Sequence, residues 1–388
     1  MACLIKPPQG TAKGVVSFTT PERDQLIRRF PDLTIAVQSL KSRYLVGLHH
    51  NWHDADFRHD ALFDFNFAGE ADLISGNGEF PLVPMDACNF SPPCFAPGQE
   101  KFWDVLFVAR AVKFKGIPEF FRAIRTLYDR GHKLRVLMLC PVPESGPGTE
   151  DGLRTLYEKL FMPDERQLFT FITMEWGYPF PLDLPTLAYF YRASRVFVHS
   201  APDERRCRVA TYAWATGIPV VGKPCVGSIL PAVLRQPPFF FECQSYEDFP
   251  DAICRALTSS AMSADFSAVW RVVSQDAAVT AFEEHFSTLA KGLSTALSAL
   301  PINANGFDLR LGRHHGLATG PNRIEQDLGA FIQLLDAQSD SELEALSGLD
   351  DPERAIAQKW PAPPRQVADA SSAPAVSNFL HRLRRMLA

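Results

Sequence analysis

No stretch of the chain reaches the roughly 18 consecutive apolar residues that a membrane-spanning helix requires. The opening residues, MACLIKPPQG, hold no apolar segment long enough for a secretory leader. There is no basic excess: 39 Lys and Arg stand against 44 Asp and Glu, for a formal net charge of -5. That balance excludes the electrostatic footprint of a nucleic-acid-binding protein. The eight cysteines (Cys3, Cys88, Cys94, Cys140, Cys207, Cys225, Cys243 and Cys254) form no Cys-x-x-Cys pair and no tight framework. They read as reduced thiols, several inside apolar runs such as Leu137–Cys140, and place the expected compartment in the cytoplasm. No internal repeat is present.

At 388 residues the chain is too long for one ordinary core and suits two domains. Its 31 prolines cluster in the first hundred residues and near the C-terminus, marking turn-rich regions. In the first 97 residues, Thr34–Val37 and Tyr44–Leu48 read as short buried strands. Pro21–Arg29 reads as a helix with Thr20 as N-cap and Pro at its first position. The five prolines of Pro81–Pro97 read as an interdomain connector.

From Asp104 the pattern becomes regular. Asp104–Val108, Leu134–Leu139, Leu168–Ile172, Arg195–Val198, Ile218–Val221 and Phe239–Phe241 are short apolar runs, as expected of strands buried on both faces. Helical patterns fall between them: Pro118–Arg130, Thr149–Leu160, Leu184–Ala193, Arg206–Thr216 and Tyr246–Leu257. Strands alternating with helices predict βαβ units around a parallel sheet. The organisation read from these patterns is a short N-terminal domain (1–97), a Rossmann-like domain (98–275) and a helical region (276–350). A Pro/Ala-rich linker with a basic terminal helix (351–388) follows.

Two segments carry chemistry. In FVARAVKFKGIPEFFRAI, residues 107–124, Arg110 and Lys115 follow a strand end and precede a helix N-terminus. Two fixed cations beside a helix dipole suit a diphosphate and stabilise a departing nucleotide diphosphate electrostatically. The competing reading is a pair of solvated loop charges. In RVFVHSAPDERRCRVATYAWATGIPVVGKPCVGS, residues 195–228, a strand ends in His199-Ser200 and a loop carries Asp203 and Glu204. A helix begins near Arg206 and closes at Gly217. Arg205, Arg206 and Arg208 add positive charge, and Glu204 is placed to accept hydrogen bonds from sugar hydroxyls. Its bland alternative is an acid favoured by the helix dipole.

Together these segments resemble the C-terminal domain of family-4-type (group 1) glycosyltransferases, over about residues 104–235. The resemblance implies an α/β fold of the GT-B type, with two Rossmann-like domains facing a cleft: a reduced N-terminal acceptor-side domain (1–97) and a nucleotide-sugar-binding domain (98–275). Arg110 and Lys115-Gly116 match the family's diphosphate-binding Arg and Lys-Gly. Glu204 matches the first Glu of its paired-glutamate motif, which lies against the donor sugar. Ala215-Thr216-Gly217-Ile218-Pro219-Val220-Val221 matches the motif's close, and Gly227 resembles the glycine of the turn that follows. Three positions depart from the pattern: Tyr212 replaces the second Glu, which holds the ribose in the family; Cys207 replaces a Gly; and Ala109 replaces a common Gly. Tyr212 retains a hydroxyl that can reach a ribose.

The resemblance implies catalytic roles for Arg110, Lys115 and Glu204 and donor contacts from Thr173, Met174, Arg206 and Tyr212. It further implies a retaining hexosyltransferase active in carbohydrate biosynthesis. The donor would be a UDP- or GDP-linked sugar, with no metal and no further cofactor. The acceptor would be a carbohydrate or lipid-linked hydroxyl. On the acceptor side, His50 or His49 of LVGLHHNWHDADFRHD (45–60) is the candidate. A metal site from His49, His50, His53 and Asp54 fits no standard zinc spacing, and a polar loop with buried histidines is the plain alternative. His314-His315 falls in a Gly-rich loop. The terminal FLHRLRRMLA reads as a packed or frayed helix, with weak contact to an anionic membrane surface as the alternative. Two other functions fit less well: a non-catalytic sugar-nucleotide-binding or regulatory module, and a GT-B-like epimerase or phosphorylase.

Overall fold

The computed structural model describes residues 3–50, 59–69, 80–98, 101–143, 148–175, 182–205, 207–258, 265–304, 307 and 321–347. Eleven strands among these residues form two sheets. The second sheet contains β6 (Trp103–Val108), β7 (Val136–Val142), β8 (Phe169–Glu175), β9 (Ser194–His199), β10 (Val220–Gly222) and β11 (Phe240–Glu242). All its pairings are parallel, in the order β11-β10-β9-β6-β7-β8. The chain runs outward from β6 to β8, then crosses back to place β9 on the other side of β6. That reversal makes the carboxyl ends of β6 and β9 the topological switch point, where an open α/β sheet has its ligand crevice.

Residues alternate along these strands between two covered faces. Val105, Phe107, Val136, Met138, Val196 and Val198 pack under helices Ile117–Asp129, Glu150–Leu160 and Phe249–Thr258. Leu106, Val108, Leu137, Leu139 and Phe197 face helices Leu184–Arg192, Arg208–Ala215 and Ser267–Val273. Both faces are apolar because both are buried, which is why the strands read as unbroken hydrophobic runs.

The first sheet has the order β1-β2-β3-β4-β5, from β1 (Cys3–Lys6), β2 (Gly14–Thr19), β3 (Tyr44–His49), β4 (Phe65–Phe67) and β5 (Leu82–Val83). Only the β1–β2 pair is antiparallel. The stretch expected as a strand at Thr34–Val37 lies instead in a helix, Pro31–Leu40. Pro31 occupies its first turn and only Val37 and Leu40 are buried, while Ile35 is 65% exposed. A four-residue apolar run does not distinguish strand from helix, and the i, i+3 burial shows the helical period. Pro21–Arg29 forms a helical turn, Thr20–Glu22, continued by a π-helical turn, Arg23–Ile27. The cap is Thr19, whose backbone N–H donates to Glu22 Oε2 at 2.8 Å, one residue earlier than expected.

The helices beyond residue 275 return to the first sheet. Phe282, Phe286 and Ala290 of helix Gln275–Gly292 complete a core with Ile5, Val15, Leu45, Phe65 and Phe67. Lys6, almost wholly buried, is held by Glu283 at 2.7 Å. Tyr44 and Arg43 donate to the final carbonyls of helix Pro321–Ala337, including Leu335 O at 3.0 Å. Arg43 there adds positive charge at the helix's negative end. The two passages of the chain between the sheets meet where Ser91 N–H donates to Val273 O at 2.7 Å. Among the described residues no helix is long and apolar enough to cross a membrane, and all eight cysteines are free thiols. The linker and terminal helix expected over 351–388 lie outside the described residues.

Candidate functional site

Strand order brings the two chemical segments together. β6 and β9 are hydrogen-bonded neighbours, in register from Trp103–Ser194 to Leu106–Phe197. The loops leaving their carboxyl ends therefore emerge side by side. Arg110 follows β6 by two residues and is half-buried. Lys115 ends the 3-10 turn Lys113–Lys115, immediately before helix Ile117–Asp129. Its ammonium donates to Glu204 Oε2, 89 residues away in sequence.

Glycine and serine hold this junction. Gly116 has φ +64, and a Cβ there would lie 2.3 Å from Ser200 O. The hydroxyl of Ser200 donates to Gly116 O at 2.7 Å and lies 3.0 Å from Lys115 O. The Lys-Gly pair thus has a structural explanation: the glycine admits the β9 loop, and that contact sets Lys115 against Glu204.

Glu204 has a second partner that sequence reasoning did not assign. His199, the last residue of β9 and fully buried, places Nε2 2.7 Å from the same Oε2. Burial by itself would raise the carboxyl's pKa. His199 and then Lys115 outweigh it, holding the group at about 2. Glu204 is therefore an anion throughout the physiological range. A polar residue ending a strand otherwise buried on both faces was the available signal for His199.

Ligand atoms of His199, Glu204 and Cys207 lie within 4.8 Å of one another, an N/O/S set of the kind that suits a borderline-soft divalent metal. Lys115 already places a cation on the Glu204 carboxylate. Burial, followed by the nearby Glu204 charge, pushes the Cys207 thiol well above its usual range.

The other expected donor contacts are more dispersed. Thr173 and Met174 sit near the end of β8, the edge strand two places from β6. The Thr173 hydroxyl hydrogen-bonds Glu150, which begins helix Glu150–Leu160. Arg206 lies outside the described residues. Tyr212 is 6% exposed, and its ring stacks on Phe95 of the connector, with centroids 4.0 Å apart and planes 16° from parallel. Where the family pattern has a carboxylate, this chain has an aromatic ring joined to the core. Gly227 lies in the 3-10 turn Pro224–Ile229, against the ring of Phe240.

On the first sheet, His49 and His50 stand at the carboxyl end of β3. His49 Nε2 is 3.4 Å from Asp86 Oδ2, whose other oxygen accepts from Cys88 N–H at 2.6 Å. Cys88 O accepts from Thr211 Oγ1 at 3.0 Å, linking this turn to helix Arg208–Ala215 of the second sheet. His50 Nε2 lies 3.1 Å from Asn66 Oδ1, and Asn66 Nδ2 lies 3.0 Å from His59 Nδ1. The remaining histidine candidates, His53 with Asp54 and His314-His315, lie outside the described residues.

Burial pushes the His50 pKa down from 6.5 to about 3, against a smaller upward pull from Asn66. The unfolded chain then binds a proton that the folded chain refuses between those values, so stability falls as pH drops below 6.5. The slope approaches about 1.4 kcal/mol per pH unit for this group, or about 2 kcal/mol between pH 6.5 and roughly pH 5. Urea unfolding of wild type and His50→Gln across that range should show a shallower acid loss in the variant. Equal slopes would show that His50 does not stay neutral.

The fold and site define a class: an α/β protein with two sheets, in which a Lys115–Glu204 pair sits beside a helix N-terminus at the switch point of the second. No family model matches the chain. Over 156 residues it is 31% identical to the D-inositol 3-phosphate glycosyltransferase of Streptomyces griseus. That match covers 39% of this chain and 30% of the relative, so it spans less than a third of the relative's length. Among solved structures it is similar to sucrose-phosphate synthase from Thermosynechococcus elongatus, at 16% identity and a TM-score of 0.44, covering 64% of this chain and 69% of that one. It is also similar to an Anabaena protein solved with UDP and glucose, at 12% identity and a TM-score of 0.44, covering 68% and 76%.

Proposed function

We propose that the protein is a GT-B glycosyltransferase of the group 1 type, moving a sugar from a nucleotide-diphosphate donor to an acceptor hydroxyl. The observation that carries this reading is the meeting of Lys115 and Glu204 at the ends of adjacent strands β6 and β9. A cation stabilises a departing diphosphate and a carboxylate accepts from sugar hydroxyls, two tasks that suit transfer from a sugar nucleotide. The stretch similar to the inositol-phosphate glycosyltransferase supports the same reading.

In this mechanism Arg110 and Lys115 receive the charge that develops on the departing nucleoside diphosphate. The N-terminus of helix Ile117–Asp129 adds its dipole. Glu204 orients the donor sugar through its hydroxyls. The acceptor enters from the first sheet, where the His49–Asp86 pair and His50 line the carboxyl end of β3. Family-4 membership and retention of anomeric configuration belong to the proposal, as do a UDP- or GDP-linked hexose donor and a carbohydrate or lipid-linked acceptor. No metal is assigned a step.

A second reading is a sugar-nucleotide-binding module without turnover. It is favoured by the stacking of Tyr212 on Phe95 at the position where the family pattern places its ribose-holding glutamate. Calorimetric titration with UDP-, GDP- and ADP-sugars separates the readings. Wild type should bind at least one class, and a Lys115→Ala, Glu204→Ala double variant should lose it by about tenfold or more, the magnitude of a lost charge-assisted contact. Binding to none would remove the central claim. Binding without transfer across a broad acceptor panel would select the second reading.

A further inference from the structure

Two donors converge on one oxygen of Glu204, and they differ in kind. Lys115 offers an ammonium on a flexible four-carbon stem, carried by a short turn, and such a charge is readily re-aimed. His199 offers a ring nitrogen from the last residue of β9, held in register with Gly222 of β10 and fully buried. An ionised carboxylate only accepts hydrogen bonds, so Nε2 of His199 must carry the hydrogen that points at Glu204. Among the described residues His199 Nδ1 is buried without a hydrogen-bond partner, and the contact with Glu204 is the imidazole's one polar attachment. The Glu204 side chain keeps 21% of its surface exposed and is reachable by a ligand.

We propose that His199 is the positioning residue that holds Glu204 toward the donor sugar once Lys115 has moved from that carboxylate to the donor diphosphate. This rests on the glycosyltransferase reading. Lys115 is paired with Glu204. A diphosphate carries more negative charge than one carboxylate and draws the mobile ammonium away. Without a second donor, Glu204 would then be a largely buried anion lacking a partner, free to turn from the sugar. His199 prevents this because its ring is fixed by the strand. Its role is confined to the sugar half of the donor.

The discriminating experiment compares two amides at this position. The side-chain nitrogen of His199→Gln falls where Nε2 lies and can donate to Glu204; that of His199→Asn falls near Nδ1 and cannot. Dissociation constants are measured for wild type and both variants with UDP, GDP and ADP, and with UDP-glucose, GDP-mannose and ADP-glucose. With whichever base the wild type accepts, His199→Asn should bind the bare diphosphate within about twofold of wild type. It should bind the sugar nucleotide about tenfold or more weakly, the effect of losing one charge-assisted hydrogen bond. His199→Gln should recover sugar-nucleotide binding to within about threefold. Thermal melts of both variants report whether the fold survives. The proposal is overturned if the two amides behave alike, or if His199→Asn weakens bare diphosphate and sugar nucleotide equally. Wild type binding none of the six probes would instead overturn the glycosyltransferase reading and this role with it.

Discussion

On the proposed mechanism, Lys115→Met is expected to lower kcat/KM for sugar transfer by about 10²–10³-fold, the usual cost of removing one preorganised charge from a site where negative charge develops. The substitution keeps most of the side chain's length and apolar stem and removes only the cation. Two effects follow from the geometry. The diphosphate loses the ammonium at the end of the β6 loop, so bare nucleoside diphosphate also binds more weakly. Glu204 loses one of the two groups that hold its pKa at about 2 and retains only His199. The carboxyl's pKa therefore rises, and the stability cost is of the order of 1–3 kcal/mol because the anion remains partnered. Lys115→Arg should restore part of the binding, since the planar guanidinium keeps the charge but not the compact reach. Steady-state kinetics over a donor concentration series measure the effect, and an unchanged transfer rate would remove Lys115 from the mechanism.

Gly116→Ala is expected to be the most damaging single-methyl change at the site. At φ +64 a non-glycine residue is strained by about 1–2 kcal/mol. The added Cβ would also lie 2.3 Å from the Ser200 carbonyl oxygen and 2.9 Å from its carbonyl carbon, both backbone atoms. Relief requires the β9 loop to move, and that loop carries Glu204. A loss of about 3 kcal/mol or more is expected, which for a lobe of this size lowers Tm by roughly 6–12 °C. Gly131→Ala is the matched control. Its φ is +85, but nothing lies within 4 Å of the added carbon, so only the conformational penalty of about 1–2 kcal/mol applies. Similar melting temperatures for the two variants would show that the β6 and β9 loops are not in contact.

The second sheet was legible strand by strand because each strand is buried on both faces and its helices carry ordinary boundary signals. Thr149 accepts from Gly152 N–H at the start of its helix, and Gly131 follows the end of another. The first sheet was harder to read. Pro31–Leu40, between β2 and β3, is a helix with only two buried residues, too few for its period to stand out. The helices after residue 275 carry apolar faces, but such a face does not reveal which sheet it covers. Phe282 and Phe286 pack against Phe67 and Phe65 of the first sheet, 215 and 221 residues away in sequence.

The amino-acid order alone determined the βαβ alternation, the cations at the end of β6 and the carboxylate after β9, since each depends on neighbours within a turn or two. Only the tertiary structure decided that these groups meet. Lys115 and Glu204 touch because the chain crosses back after β8 to insert β9 beside β6, and strand order is a property of the whole sheet. The same crossing placed His199 under Glu204 and stacked Tyr212 on Phe95. Those contacts exchange solvent for protein partners far along the chain, and no local pattern specifies which partners they will be.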